Sequence, residues 1–443
     1  MEEHNNIICQ ESPQEHLDLQ NDDEFYFWRR NCPYLYDSML SYTLEWPTLT
    51  LDWLPNSYKS ADGTYSVHKI IFGTHTNGED QNHLIVAEVH LADSFEAEDL
   101  MCHESFAEYR YNNDTNISSS IQFEIKAKLN HPGEVNKALH MHQHPFIIAT
   151  KTATKKGDTL LFDYSKHESF SSDDLVRPQL VLTGHNNEGY ALSWNFSNEG
   201  FLISGGKDSR ICFWDIANYT EGGIGSYCNT KSGIYNCEYY SNDNTGCTES
   251  IRSIEALNSY EWHKGEINDV QWHPSHAYVF ASVSDDKFLA LWDIREKSMN
   301  PSQYSESPNC NILNSISFNC FIPTVFATSD SGGKINIWDL RDLSHPIKNI
   351  KYHRPIAKIE WSPWCPNIIA SACGDNRVVL WDICKESNQS DSTSSEIIFS
   401  HAGHGAPISD FSWNYSNHGD PLLIASASED NTIQFWQISD IFL

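Results

Sequence analysis

One recurring ending constrains this chain more than anything else in it. Short strand-like runs close on an aromatic residue and then Asp: LLFD (Leu160 to Asp163), ICFWD (Ile211 to Asp215), LALWD (Leu289 to Asp293), INIWD (Ile335 to Asp339), VVLWD (Val378 to Asp382) and, with Gln replacing Asp, IQFWQ (Ile433 to Gln437). Five of these place Trp at the same point: Trp214, Trp292, Trp338, Trp381 and Trp436. Six residues earlier stand Asp208, Asp286, Asp375 and Asp430, with Gly332 at the corresponding position of the remaining run. His185, His263, His353 and His404 precede their Asp by 22 to 26 residues. Between these marks run segments such as DVQWHP and VFASVSDD, KIEWSP and IIASACGD, whose alternation and β-branched or aromatic content read as strands.

Each unit is therefore four short strands joined by turns, the WD-repeat signature, and the fold class it predicts is all-β: a seven-bladed WD-repeat β-propeller. A four-stranded blade cannot bury both faces alone, whereas radial stacking buries them and ring closure removes the exposed ends. The His and Asp marks are expected to bond within a blade and lock the turn before its last Trp strand, a structural role. Six marks give six blades. The runs HKIIFGTH, HLIVAEVHLA and IQFEIKAKL between Val67 and Leu129 supply a seventh. The leftover run LTLDWL (Leu49 to Leu54) is expected to pair into the last blade and close the ring.

The chain divides into an acidic N-terminal segment, 1–43, and a propeller, 44–443. Residues 1–28 carry eight acids and no Lys or Arg. From Pro13 to Leu44 the text predicts an α-helix packed on the propeller's side through Leu17, Phe25, Trp28, Leu35 and Met39, with a bend at Cys32-Pro33. The stretch 218–258, rich in Asn, Gly, Ser, Tyr and Cys, reads as a mobile insertion, 385–395 as a polar loop and Asp93 to Ser120 as an acidic one.

Charge narrows the function. Sixty acidic against 29 basic residues leave a formal net charge of −31, which repels nucleic acid and anionic membranes as direct ligands and favours a basic partner. Apolar runs such as Phe288 to Trp292 fall far short of a bilayer span, and MEEHNN carries no secretory signal. The twelve cysteines include no CxxC pair, and Cys228, Cys237 and Cys247 fit no common zinc spacing, so neither metal nor cofactor is indicated and reduced thiols are expected. No GxSxG, HExxH or P-loop is present, so catalysis is not indicated.

Particular wording goes beyond the repeats: FWRRNCPYLYDSMLSYTLEWPTLTLDWLP (Phe27 to Pro55), GTHTNGEDQNHLIVA (Gly73 to Ala87), HPGEVNKALHM (His131 to Met141), IIATKT (Ile147 to Thr152), LFDYSKH (Leu161 to His167), GHNNEGYALSWN (Gly184 to Asn195) and HGAPISDFSWN (His404 to Asn414). Over roughly Glu24 to Ile438, apart from the insertion, the chain resembles the retinoblastoma-binding, chromatin-assembly-factor small-subunit family of WD-repeat histone chaperones. The resemblance implies a non-catalytic scaffold that binds the first helix of histone four in a side groove and basic tails, such as that of histone three, on the top face. It implies partners among acetyltransferase, assembly, deacetylase, remodelling and Polycomb complexes, and a nuclear location with the cytoplasm also open.

Carried over residue by residue, the top-face pocket comprises Glu45, Trp46 and Pro47 (EWP), His75 (GTHT), Glu134 and Asn136 (GEVN), Glu188 and Tyr190 (EGY) and Glu429 (SED). Carboxylates and an amide there suit a Lys or Arg head, and the aromatics suit its stem. The side groove comprises Tyr34, Leu35 and Met39, with Asp391, Glu396, Ile398 and Phe399 across from them. The chain departs from the family pattern at Asn268, Pro355, Ala357 and Pro407, which puts half of the pocket wall in doubt. Two other readings stay open: an acidic WD-repeat chaperone of a ribosomal protein, and a cullin ubiquitin-ligase receptor using the WDxR motifs that end in Arg295 and Arg341.

Overall fold

The computed structural model describes residues 27–32, 34–60, 65–92, 123–170, 173, 175–217, 232–235, 251–308, 310–385, 395–415 and 422–442. Seven sheets follow one another along the chain and form the predicted propeller. Blade 1 is Leu51–Lys59, Tyr65–Gly73, Asn82–Ala92 and Phe123–His131. Blades 2 and 3 begin at Val135–His140 and Leu192–Trp194, and blades 4, 5 and 6 at Ile267–Trp272, Leu313–Phe318 and Ile356–Trp361. Blade 7 begins at Ile408–Trp413 and continues through Leu423–Ser428 and Thr432–Ile438.

Two strands are not where the sequence places them. LTLDWL does not join the last blade; Leu51–Lys59 is the first strand of blade 1. Ring closure falls instead to Tyr36–Thr43, which pairs antiparallel with Thr432–Ile438, Met39 opposite Trp436 and Thr43 opposite Thr432. The helix expected from Pro13 to Leu44 is correspondingly short: residues 27–32 and 34–35 are helical, and the part before residue 27 lies outside the described residues. The insertion 218–258 contributes structure too. Ile251–Glu255 adds in parallel to Leu180–Thr183 and Ser232–Tyr235 pairs with it, so blade 2 has six strands.

The core is a ring of apolar clusters between blades. Ile70, Phe72, Ala425 and Phe435 share one between blades 1 and 7, and Leu182, Leu192, Cys212 and Trp214 another between blades 2 and 3. First strands are also tied blade to blade by polar groups: Asp52 accepts from the His140 amide at 2.9 Å, Asp269 from the Ile316 amide at 3.0 Å, and Asp410 from the Leu51 amide at 2.9 Å.

The repeat marks act as turn locks. In blade 4 the Trp292 indole donates to Ser282 Oγ at 2.9 Å, His263 bridges Ser282 at 2.8 Å and Asp286 at 2.9 Å, and Asp286 accepts from the amides of Lys264 and Phe288. The amides need that carboxylate because the residue after each Asp turns into the left-handed region: Ser209, Lys287, Asn376 and Asn431 have φ of 62°, 73°, 64° and 64°. In blade 5 Gly333 takes this turn at φ 80°, and Asp330, two residues ahead of Gly332, supplies the carboxylate to the amides of Gly332 and Lys334. Blade 6 corrects an expectation. Tyr352, not His353, is the buried partner of Asp375, donating at 2.7 Å, while the His353 side chain is 65% exposed.

Candidate functional site

The expected top-face residues occupy loops before the first strand of a blade or between its second and third strands, so all emerge at one end of the propeller. Backbone bonds join those loops into an arc. The His75 amide donates to the Pro47 carbonyl at 2.9 Å, and Val135 donates to Thr74, setting EWP, GTHT and GEVN side by side. Ser409 Oγ donates to the Thr48 carbonyl at 2.6 Å, which brings blade 7 alongside. Glu429 is exposed, and its amide donates to Pro407. Glu45 is exposed, and Trp46 is half-buried with its indole N–H lacking an acceptor among the described residues.

The densest part of the arc lies between blades 2 and 4. Asn136 is buried and donates to Glu188 Oε2 at 3.4 Å and to the Gly189 carbonyl at 3.3 Å, so it positions that glutamate. Tyr190 is 41% exposed. Burial raises the pKa of its phenol; Lys207 opposes this, and Glu188, Glu266 and Glu134 reinforce it. Burial also raises Glu266, against the pull of Lys207 and with the push of Asp285 and Glu188. Glu134, Glu188 and Glu266 therefore act on a common region beside one aromatic ring. Lys207 already stands in it: its Nζ lies 2.8 Å from Glu188 Oε1 and 5.3 Å from the Tyr190 ring centre. Asn268, the altered wall position, donates to Asp285 Oδ1 and to the Leu313 carbonyl, both at 2.8 Å.

The side-groove residues separate into two kinds. Tyr34 is 68% exposed, Phe27 63%, and Leu35 and Ile398 pack partly buried against the blade 6 and 7 core. Met39 and Phe399 lie inside that core, and Met39 sits on the closing strand, not on a helix. Glu396 is 2% exposed with Lys348 Nζ at 3.7 Å, so it is no solvent-facing acid. Asp391 lies outside the described residues. What fixes the helix is Trp28. Its indole donates to the Tyr36 hydroxyl at 2.7 Å, Tyr36 bonds His401 Nδ1 at 2.7 Å, and His401 stacks on the blade 7 Trp436 at 4.4 Å. The Cβ of any residue replacing Gly403 would come within 2.8 Å of the Trp28 ring, so only glycine admits the indole there.

Residues 23–93 match the family model described as histone-binding protein RBBP4 or a CAF1-complex component, and WD domain, G-beta repeat models match 176–215, 254–293, 344–382 and 395–437. The chain belongs to the histone-binding WD-repeat family. In this family member the RBBP4-type match spans the short helix, the closing strand, EWP and GTHT. Each repeat match runs from the outer strand of one blade to the third strand of the next. The matches to 254–293 and 344–382 lie on either side of Leu313–Phe318 to Lys334–Asp339, the blade whose turn has Gly332 in place of Asp.

Lys207, Asp285 and Trp28 were not singled out from the sequence as site residues. A signal existed for the first two. The residue directly before each locking Asp sits on the top face, and there Lys207 is basic while Asp285 and Glu429 are acidic. The WDxR arginines pair locally: Arg295 Nε lies 2.9 Å from Asp293 and Arg341 Nε 2.9 Å from Asp339, with both guanidiniums in solvent.

Proposed function

We propose that this protein is a non-catalytic histone-binding scaffold of chromatin assembly and modifying complexes, working in the nucleus. It takes a basic histone tail on its top face and a histone-four helix beside its own N-terminal helix. The observation that carries the reading is the carboxylate cluster around Tyr190, which already holds one primary ammonium, that of Lys207, by an ion pair and an aromatic face. A histone-three tail presents the same chemical group on a flexible segment. Beside the helix, exposed Tyr34 and Phe27 and half-buried Leu35 and Ile398 offer the apolar contacts that seat an amphipathic helix. The net charge of −31 speeds encounter with either ligand.

The test is calorimetric titration at fixed physiological salt with a histone-three N-terminal peptide, a histone-four first-helix peptide and a scrambled peptide of equal charge. Fixed salt matters, because an acidic surface holds any polycation when screening is low. Saturable binding tighter than the scrambled control is expected for both. Glu134→Ala with Glu188→Ala should weaken the tail peptide more than about 30-fold, the scale of hot-spot loss, and leave the helix peptide unchanged. Binding no better than the scrambled peptide would overturn the proposal.

A further inference from the structure

The top-face cluster is not empty, and its occupant comes from the chain itself. Lys207 is held at both ends: its amide donates to the Glu188 carbonyl at 2.8 Å, and its Nζ meets Glu188 Oε1 at 2.8 Å. Its backbone cannot retreat. Neighbouring Asp208 is bonded to His185 and to the Asn186 amide, Gly206 donates to Arg210, and Ser209 is in the left-handed turn. Only the side chain can move, and it keeps 31% exposure against 27% for Glu188, so solvent reaches the pair from outside. Lys207 and Glu188 come from successive loops of one blade. Glu266 and Asp285 come from the next, so the ammonium sits at a junction that an incoming ligand would also have to use.

We propose that Lys207 is a tethered competitor in the top-face ammonium site, so that a basic segment binds Glu188 and the face of Tyr190 only by displacing it. The proposal rests on the reading of that face as the tail-binding site. It accounts for specificity in a strongly acidic protein. A lone lysine gains little by replacing a tethered one, whereas a segment whose neighbouring residues also engage Glu134 and Glu429 is favoured. The competitor raises the threshold for non-specific polycations without weakening the face for a ligand that reaches along the arc. Any change that removes the Lys207 charge, acetylation included, would open the site.

The experiment compares wild-type protein with Lys207→Met, which keeps most of the stem, and Lys207→Ala, titrating the histone-three N-terminal peptide at fixed salt. Removing a half-exposed ion pair as competitor should tighten binding about three- to fivefold in both variants. Lys297→Ala, an exposed lysine elsewhere, removes the same charge and should change binding by less than about 1.5-fold. In a Glu188→Ala background, Lys207→Met should no longer tighten binding, because the contact it contests is gone. Unchanged or weaker binding by both Lys207 variants, while wild type binds the tail saturably, would overturn the proposal and leave the tail site standing. Failure of wild type and both variants to exceed the scrambled peptide would remove both together.

Discussion

At the residue scale, the histidines show how burial outranks pairing. His185 shares Asp208 and Ser204 yet its pKa is lowered to about 4, by burial first and then by Lys151, with Asp208 pulling the other way. Burial also lowers His131 and His142 to about 4. The sign follows directly. Between pH 4 and the ordinary value of 6.5 the unfolded chain takes up a proton at each position that the folded chain refuses. Stability is therefore full above pH 6.5 and falls as pH drops toward 4, by at most about 3 kcal/mol per histidine. Urea midpoints measured from pH 7 to pH 4 should decline through this window; a level midpoint would contradict the assignment. These roles were half legible. The spacing of His to Asp marked His185, His263 and His404 correctly. It misread His353, because the adjacent Tyr352 reaches the same carboxylate with a longer, apolar body that buries well.

At the scale of elements, the N-terminal segment is where local pattern and tertiary demand part company. The spacing of Trp28, Leu35 and Met39 suits a helix, but Tyr36 to Thr43 faces an unpaired strand, Thr432–Ile438, whose backbone groups need partners. Pairing overrides helical spacing, and the helix ends before Tyr36. Function divides accordingly. Met39→Ala should cost about 2 to 5 kcal/mol in urea unfolding, because its side chain is core. Tyr34→Ala should leave stability within about 0.5 kcal/mol and weaken only the histone-four helix peptide. Equal loss of stability in both would mean that Tyr34 serves packing alone. The blades themselves were legible because their aromatic endings repeat. Blade 2 was legible through Phe162 standing for Trp, but its six-strand width was not, since a parallel addition from a later stretch of chain leaves no local periodicity.

For the whole molecule, the deciding group lies where the ring closes. Asp410, 2% exposed, accepts from Lys137 Nζ of blade 2 at 2.7 Å, Lys358 Nζ of blade 6 at 2.8 Å and the Leu51 amide of blade 1. Burial alone would raise its pKa, and the two ammonium groups reverse that, so the carboxylate stays ionised in the channel. One carboxylate thus ties four blades. Asp410→Ala leaves two partly buried ammonium groups without it and should cost about 3 to 5 kcal/mol, seen as a large drop in denaturant midpoint; a drop below about 1 kcal/mol would show that the ring holds without it. None of this was readable from sequence, since Lys137, Lys358 and Asp410 stand far apart in the chain and nothing in their local text marks a meeting point.

Closure by Tyr36–Thr43 also sets a schedule for synthesis. The strand that seals the ring leaves the ribosome ahead of every blade, and its partner Thr432–Ile438 follows only after six of them. At about 5 to 20 residues per second, roughly 20 to 80 seconds separate the two. Through that interval the strand's apolar face, Tyr36 and Met39 included, has no blade 7 to cover it. The nascent protein must be shielded until Thr432–Ile438 appears, and a message truncated ahead of that strand yields a ring without its clasp, a substrate for quality control and not a weakened chaperone.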